Sequence, residues 1–127
     1  MEYKFIIKGR LPGLNEYLAA ERSFSKKHSC GNDMKQQNQM LISNAIRLQL
    51  KRLHIEKKVH ISYAFYEKDK KRDLDNIAGV AHKFIQDSLV KCNVIENDGW
   101  SNIQGFDDSF FIDSLNPRIE VTVRELE

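Results

Sequence analysis

The sequence predicts one α+β domain: a mixed β-sheet with two main helices packed on it, in the order β-α-β-α-β-β. Three observations carry this. Apolar residues alternate with polar ones near the start, in the middle and at the end of the chain, which is the two-residue period of half-buried strands. Two longer segments repeat their apolar residues at three- and four-residue spacing, the period of an amphipathic helix. The 127 residues, 41% of them hydrophobic, suffice for one core and are too few for two ordinary domains, so residues 1–127 read as a single unit. Packing the helix stripes on a sheet face buries these surfaces together.

Tyr3, Phe5 and Ile7 alternate with Lys4, Ile6 and Lys8 as a first strand. Gly9 to about Asp33 has no period and contains Pro12, Gly13 and Gly31, so it is expected to be irregular; so long a structureless stretch in a small domain points to a functional or mobile loop. From Met34 to about Leu53 there is no Pro or Gly. Met34, Leu41, Ala45 and Leu48, widened by Ile42, Ile46 and Leu50, form a helical stripe with Asn32 or Asp33 as its cap. Val59, Ile61, Tyr63 and Phe65 alternate with His60, Ser62, Ala64 and Tyr66 as a second strand. Ile77, Ala81, Phe84, Ile85, Leu89 and Cys92 form the stripe of a second helix, capped by Asp73 and stopped at Asn93. Trp100 to Phe106 reads as a weak strand and Phe110-Phe111-Ile112 as a turn-rich patch or short strand. Ile119, Val121 and Val123 form a closing strand after Asn116-Pro117.

Charged residues make up 30% of the chain, and no apolar run approaches the roughly 20 residues of a bilayer span, which excludes a transmembrane protein. The N-terminus has no long apolar stretch and no small-residue cleavage site, so no secretory signal is expected. Cys30 and Cys92 fit no disulfide framework, which makes a reducing cytoplasm the expected compartment. A net charge of +2 is not that of a protein that coats nucleic acid without selectivity. The cations gather at Lys26-Lys27-His28, at Lys51-Arg52 with Lys57-Lys58, and at Lys68-Asp69-Lys70-Lys71-Arg72; the first two clusters read as solvated surface.

The third cluster runs straight into Asp73-Leu74-Asp75-Asn76. Two carboxylates separated by one residue, between a strand and a helix, can point the same way while Leu74 anchors the turn. Hard divalent cations take oxygen ligands, and Mg²⁺ is typically held by one or two carboxylates plus substrate phosphate and water. Cations beside such a pair suit a phosphodiester, whose backbone they would hold. The competing reading makes Asp73 a helix cap and Asp75 a first-turn residue favoured by the helix dipole. A third carboxylate, Asp98, follows the second helix in Glu96-Asn97-Asp98-Gly99, where a simple turn is the alternative. The helix carries the chain roughly 25 Å from Asp73, and Cys92 to Asp98 can return about 20 Å if fully extended. Closure within one subunit is tight, and a subunit lending Asp98 to its neighbour's Asp73 and Asp75 is the other solution.

The run Arg72-Asp73-Leu74-Asp75-Asn76-Ile77, a helix, and then Asn97-Asp98 resembles the RusA family of Holliday junction resolvases, many of them carried by phages and prophages. The likeness extends weakly over most of the chain, through the Leu11-Pro12 and Asn15 loop and the Asn116-to-Val121 strand. The resemblance implies a homodimer that binds four-way DNA junctions during recombination and repair and makes paired nicks dependent on Mg²⁺, with Mn²⁺ an alternative. It implies Asp73, Asp75 and Asp98 as catalytic metal ligands. The residues themselves suggest Lys70, Lys71 and Arg72, with Asn76 beside them, as DNA-binding, and Asn15 as a DNA contact or ligand-orienting group with a turn role as its alternative. The chain departs from the family pattern twice. Asn97 stands where a second aspartate is common, and Gly79 stands where some members carry a catalytic lysine. Lys83, one helical turn on, or Lys70 and Lys71 upstream, could supply that charge.

The remaining candidates carry less. His28 and Cys30 have no partner pair for a zinc site. Cys92 reads as a small core residue. His82 could reach substrate as an acid or base, against a role as a partly buried polar group. Trp100 is expected to pack under the site, with base stacking as its alternative. Phe106, Phe110 and Phe111 read as core or dimer contacts, and Ser23 and Ser25 as possible phosphate contacts without specific support. A non-catalytic junction binder, a nuclease without junction preference and a purely structural domain are the competing functions.

Overall fold

The computed structural model describes the chain apart from Ser23, Lys26 and Lys27, and describes side chains outside residues 23–29. The side chains of Ser25 and His28, like Ser23, Lys26 and Lys27, therefore lie outside the described residues. The alternating strands predicted at both ends and in the middle are β1 (Glu2–Lys8), β4 (Val59–Glu67) and β6 (Arg118–Glu125). A two-stranded hairpin, β2 (Phe24–Ser25) and β3 (His28–Ser29), and one further long strand, β5 (Ile103–Ile112), complete the β-structure. The helices are α1 (Leu14–Glu21), α2 (Cys30–Leu50) and α3 (Leu74–Lys91).

The main sheet has the order β1-β6-β4-β5. β6 runs antiparallel to both β1 and β4, whereas β4 and β5 are parallel. Parallel pairing needs a crossover, and α3 provides it. Phe5, Ile7, Ile61, Tyr63, Phe65, Val121 and Val123 point to one face and are buried beneath the helices. Lys4, His60, Ser62, Tyr66, Arg118, Glu120 and Thr122 line the opposite face, where Lys4 and Arg118 both pair with Glu120. α2 and α3 pack side by side and run parallel, because their contacts climb together: Gln39 meets Asp87 and Ser88, and the Ser43 carbonyl meets Cys92.

Three expectations need correction. Gly9 to Asp33 is not irregular throughout: it holds α1, the hairpin and the start of α2, which begins at Cys30 rather than after an Asn32 or Asp33 cap. The element order gains a helix, and α1 escapes detection because it buries no residue fully. The α2 stripe is narrower than its periodicity suggests. Ile42 and Ile46 are buried, whereas Leu41 and Leu48 are mostly exposed. Trp100 to Ile112 is not two weak pieces, since Ile103–Ile112 forms one continuous strand along β4. Its mixed sequence hid it because it is an edge strand with limited burial on either face.

α2 also closes the far edge of the sheet. The Gln49 side-chain amide donates to the Ile6 carbonyl and accepts from the Ile6 N–H, both at 2.8 Å, as a neighbouring strand would. No helix among the described residues is long and apolar enough to cross a membrane.

The two faces of α2 make a direct test. Ile46→Ala should cost roughly 2–4 kcal/mol in urea unfolding, the range for a buried aliphatic side chain. Leu48→Ala should stay within about 0.5 kcal/mol, as exposed positions do; equal losses at both sites would reject the assigned burial.

Candidate metal and nucleic-acid site

β4 ends at Glu67, and α3 begins at Leu74. The intervening loop therefore sits at the carboxyl end of the parallel β4–β5 pair, where open α/β sheets usually bind ligands. Asp73 occupies the N-cap position in an extended conformation, but its side chain makes no capping hydrogen bond. Asp75 lies exposed in the first turn of α3. Among the described residues neither carboxylate has a hydrogen-bonded or ionic partner. The capping reading of Asp73 therefore loses its physical basis. Leu74 is 56% exposed and does not anchor the turn; Ile77, one turn on and buried, does.

The loop is held instead by Arg72. Its Nε and Nη2 donate to the two Glu67 carboxylate oxygens at 3.0 and 2.9 Å, and Nη1 donates to the Leu11 carbonyl at 3.0 Å. Both side chains are about nine-tenths buried. Arg72 is thus not a free phosphate contact, contrary to expectation. A buried carboxylate needs this bidentate partner, and the guanidinium fork is spent on it. Lys70 and Lys71 are exposed, and neither has an acidic partner among the described residues.

Asn15 and Asn76 come together, but as a structural tie. The Asn76 carboxamide oxygen accepts the Asn15 backbone N–H at 2.8 Å, satisfying one of the free donors at the start of α1. Gly13 makes room for it, since a Cβ there would stand 2.8 Å from that oxygen. The Asn76 oxygen thus caps α1, while its amide NH2 and the exposed side chain of Asn15 lie at the same corner. Beside this corner a cavity of about 410 Å³ is lined by Asp69, Lys70 and Asp73 over Phe110, Phe111 and Ile112. Asp69 was not singled out in the sequence because an acid inside a cationic run reads as surface charge. Its carboxylate accepts the Lys71 N–H at 3.0 Å, which shapes the loop.

Asp98 does not join Asp73 and Asp75 within the chain. It meets Lys83 at 3.6 Å, and Lys83 lies eight residues beyond Asp75, about 12 Å along the helix. Among the described residues no group of three or more His, Cys, Asp or Glu side chains is placed to hold a metal. Asn97 closes a turn, its side-chain oxygen accepting the Gly99 N–H at 3.2 Å. Lys83 is engaged by Asp87 at 3.1 Å and by Asp98. Asp87, and less so Asp98, hold its pKa above the usual lysine value. It is charged, but committed away from Asp75. Gly79 is exposed, and a Cβ there would touch Leu14 at an ordinary 3.5 Å, so the position tolerates a side chain.

His82 is bound by Asp108 at 2.6 Å, between the rings of Tyr63 and Phe106, each 4.7 Å away. Burial pushes the Tyr63 phenol well above its usual pKa, so it remains protonated. The sequence did not single out Asp108; only its place on the helix side of β5, two residues from Phe106 and Phe110, signals the pairing. Trp100 is 95% exposed and packs under nothing. Phe106 and Phe111 are about half exposed, while Phe110 stacks on Phe65 at 5.3 Å.

Removing the guanidinium by Arg72→Ala should cost roughly 3–5 kcal/mol, because Glu67 is left buried and unpaired. Lys71→Ala should change stability by less than about 0.5 kcal/mol. Chemical denaturation of both variants checks the assignment of Arg72 to the scaffold and Lys71 to the surface. No model of a known protein family matches the chain, and no curated protein matches it in sequence.

Proposed function

We propose that the chain is a metal-dependent endodeoxyribonuclease that resolves four-way DNA junctions as a homodimer, of the phage or prophage type, working in the cytoplasm in recombination and repair. One observation carries the reading: Asp73 and Asp75 are exposed at the start of α3, beside Lys70 and Lys71, and among the described residues none of the four side chains has a partner of opposite charge. Carboxylates with no structural task, next to cations with none, suit a hard divalent cation and a phosphodiester. The donor set of one chain fits Mg²⁺ or Mn²⁺ through two carboxylates. Asp98 of a second copy completes it, since Asp98 of the same chain is turned to Lys83.

Each group then has a task. Lys70 and Lys71 hold the DNA backbone, and Asn15 offers its amide at the rim. Asp73 and Asp75 hold the metal, which when bound supplies an activated water and Lewis-acid stabilisation of the leaving oxygen. Arg72 and Glu67 keep the loop rigid so that the two carboxylates stay aligned. A four-way junction is close to two-fold symmetric, and two symmetric nicks need two equivalent sites, which a two-fold dimer provides. Backbone recognition makes affinity fall steeply with salt.

The test is nicking of a labelled four-way junction and a matched linear duplex, with Mg²⁺ and with EDTA, beside Asp75→Asn. Symmetric, metal-dependent cuts confined to the junction and lost in the variant are expected. Cuts in both substrates point to a nuclease without junction preference. The second reading, a non-catalytic junction binder, is favoured by Gly79 and by the engagement of Lys83 with Asp87; tight junction binding with no cuts under Mg²⁺ or Mn²⁺ would establish it instead.

Sharing of the site has its own signature. Asp75→Asn and Asp98→Asn are each expected to be inactive alone. Mixed and re-equilibrated, they should recover about a quarter of the wild-type sites, because a two-fold heterodimer reassembles one intact site. No recovery would place all three aspartates in one chain.

A further inference from the structure

We infer that the outer edge of β5 is the surface through which two copies of this chain join, as one continuous antiparallel sheet across a two-fold axis. The inference rests on the proposed dimer but names a surface that can be tested without DNA or metal. The sheet has two edges, and they are treated differently. The β1 edge is occupied at Ile6 by Gln49. Among the described residues β5 pairs only with β4, and no strand lies along its other side. A ten-residue strand with an unpaired row of N–H and C=O groups is a template for another strand.

The apolar surface gathers at the same place. Of the eleven large hydrophobic residues that are exposed among the described residues, five lie on β5 or just beyond its ends: Trp100, Phe106, Phe111, Ile112 and Leu115. Their distribution suits an antiparallel match with a copy of itself. The start of one strand, near Trp100, would then lie beside the end of the other, with Ile112 and Leu115. The edge is about 33 Å long at strand spacing, and a sheet layer plus a helix layer make it about 20 Å deep. That footprint, on the order of 700 Å², is close to the roughly 800 Å² per partner of an ordinary stable interface.

The helix layer supplies the link to the site. Asp75, His82 and Gln86 recur at seven- and four-residue intervals and share one flank of α3, and His82 meets Asp108 and Phe106 there, so the flank faces β5. Antiparallel pairing of the β5 strands sets the two α3 helices antiparallel across the axis. The acidic start of one helix then lies towards the far half of the other, where Lys83 and Asp98 reside. The opposed helix dipoles favour this arrangement. The acids in mid-strand are each held by an imidazole of their own chain, Asp107 by His60 and Asp108 by His82, both at 2.6 Å.

Sedimentation of the full chain without DNA or metal is expected to give a two-copy mass, and Ile112→Lys, at a half-exposed position, to give a folded monomer by circular dichroism. Single cysteines at 107, 108 and 109 provide a second measurement that does not depend on breaking the interface. Near the axis, facing Cα atoms stand about 5 Å apart, within disulfide reach. At least one of the three should cross-link under mild oxidation, and Leu48→Cys on the exposed face of α2 should not. A monomer at tens of micromolar, or a dimer that cross-links only through Leu48→Cys, overturns the inference. In the first case Asp107 and Asp108 guard the edge against pairing, and junction cleavage can still be scored separately. A dimer that forms through β5 but cuts no DNA leaves the surface standing and removes the nuclease.

Discussion

The buried Arg72–Glu67 pair is the constraint on which the site depends. Glu67 is the last residue of β4, and Arg72 stands two residues before the start of α3. Their bidentate contact closes a short loop between strand and helix, and the remaining guanidinium donor reaches the Leu11 carbonyl before α1. The end of β4 and the start of α3 are thus tied at one point to a segment some sixty residues earlier. Burying two charges is costly, and the geometry has to be good to offset it. Here both carboxylate oxygens are engaged, and Glu16 adds a second acid 3.7 Å from the guanidinium. The loop that results is stiff, and a stiff loop is what two adjacent carboxylates need if they are to act together.

A second tie lies beside it. Asn76 caps α1, and Gly13 provides the space. α1 buries no residue fully, so its position is set by these polar contacts and by Tyr17 against Phe84 more than by a hydrophobic face. Arg72 and Asn76, two of the candidate DNA contacts, fasten the corner that presents Asp73 and Asp75. What remains unfastened at that corner is the two aspartates, Lys70, Lys71 and the exposed end of Asn15. The partition between committed and uncommitted polar groups is the strongest pointer to chemistry in the molecule, because structural charges are normally paired and functional ones need not be.

The same partition applies to the sheet. Gln49 spends its whole side chain on the backbone of Ile6, which protects one edge. The other edge keeps its backbone and several large apolar side chains available. Asp98 pairs with Lys83, whose backbone lies about 12 Å along α3 from that of Asp75. If the three aspartates act together, the separation of Asp98 and the open edge of the sheet are two deficits that the proposed two-fold contact would resolve together.

Much of the fold was legible in the sequence because burial follows period. β4 alternates without a break, and the α3 stripe of Ile77, Ala81, Phe84, Ile85 and Leu89 is buried where the spacing placed it. α1 and β5 were not legible, because one buries no residue fully and the other is an edge strand, and weak burial leaves weak periodicity. The stripe of α2 was overread, since Leu41 and Leu48 share the period of a buried face but lie outside it. The sequence by itself determined the α+β class, the strand–loop–helix setting of Asp73 and Asp75, and the cations beside them. Only the tertiary structure decided which charges are spent. Whether Arg72 grips Glu67 and Leu11 or a phosphate, and whether Asp98 faces Asp75 or Lys83, depends on how loop, strand and helix come together in space, and residue spacing alone does not encode it.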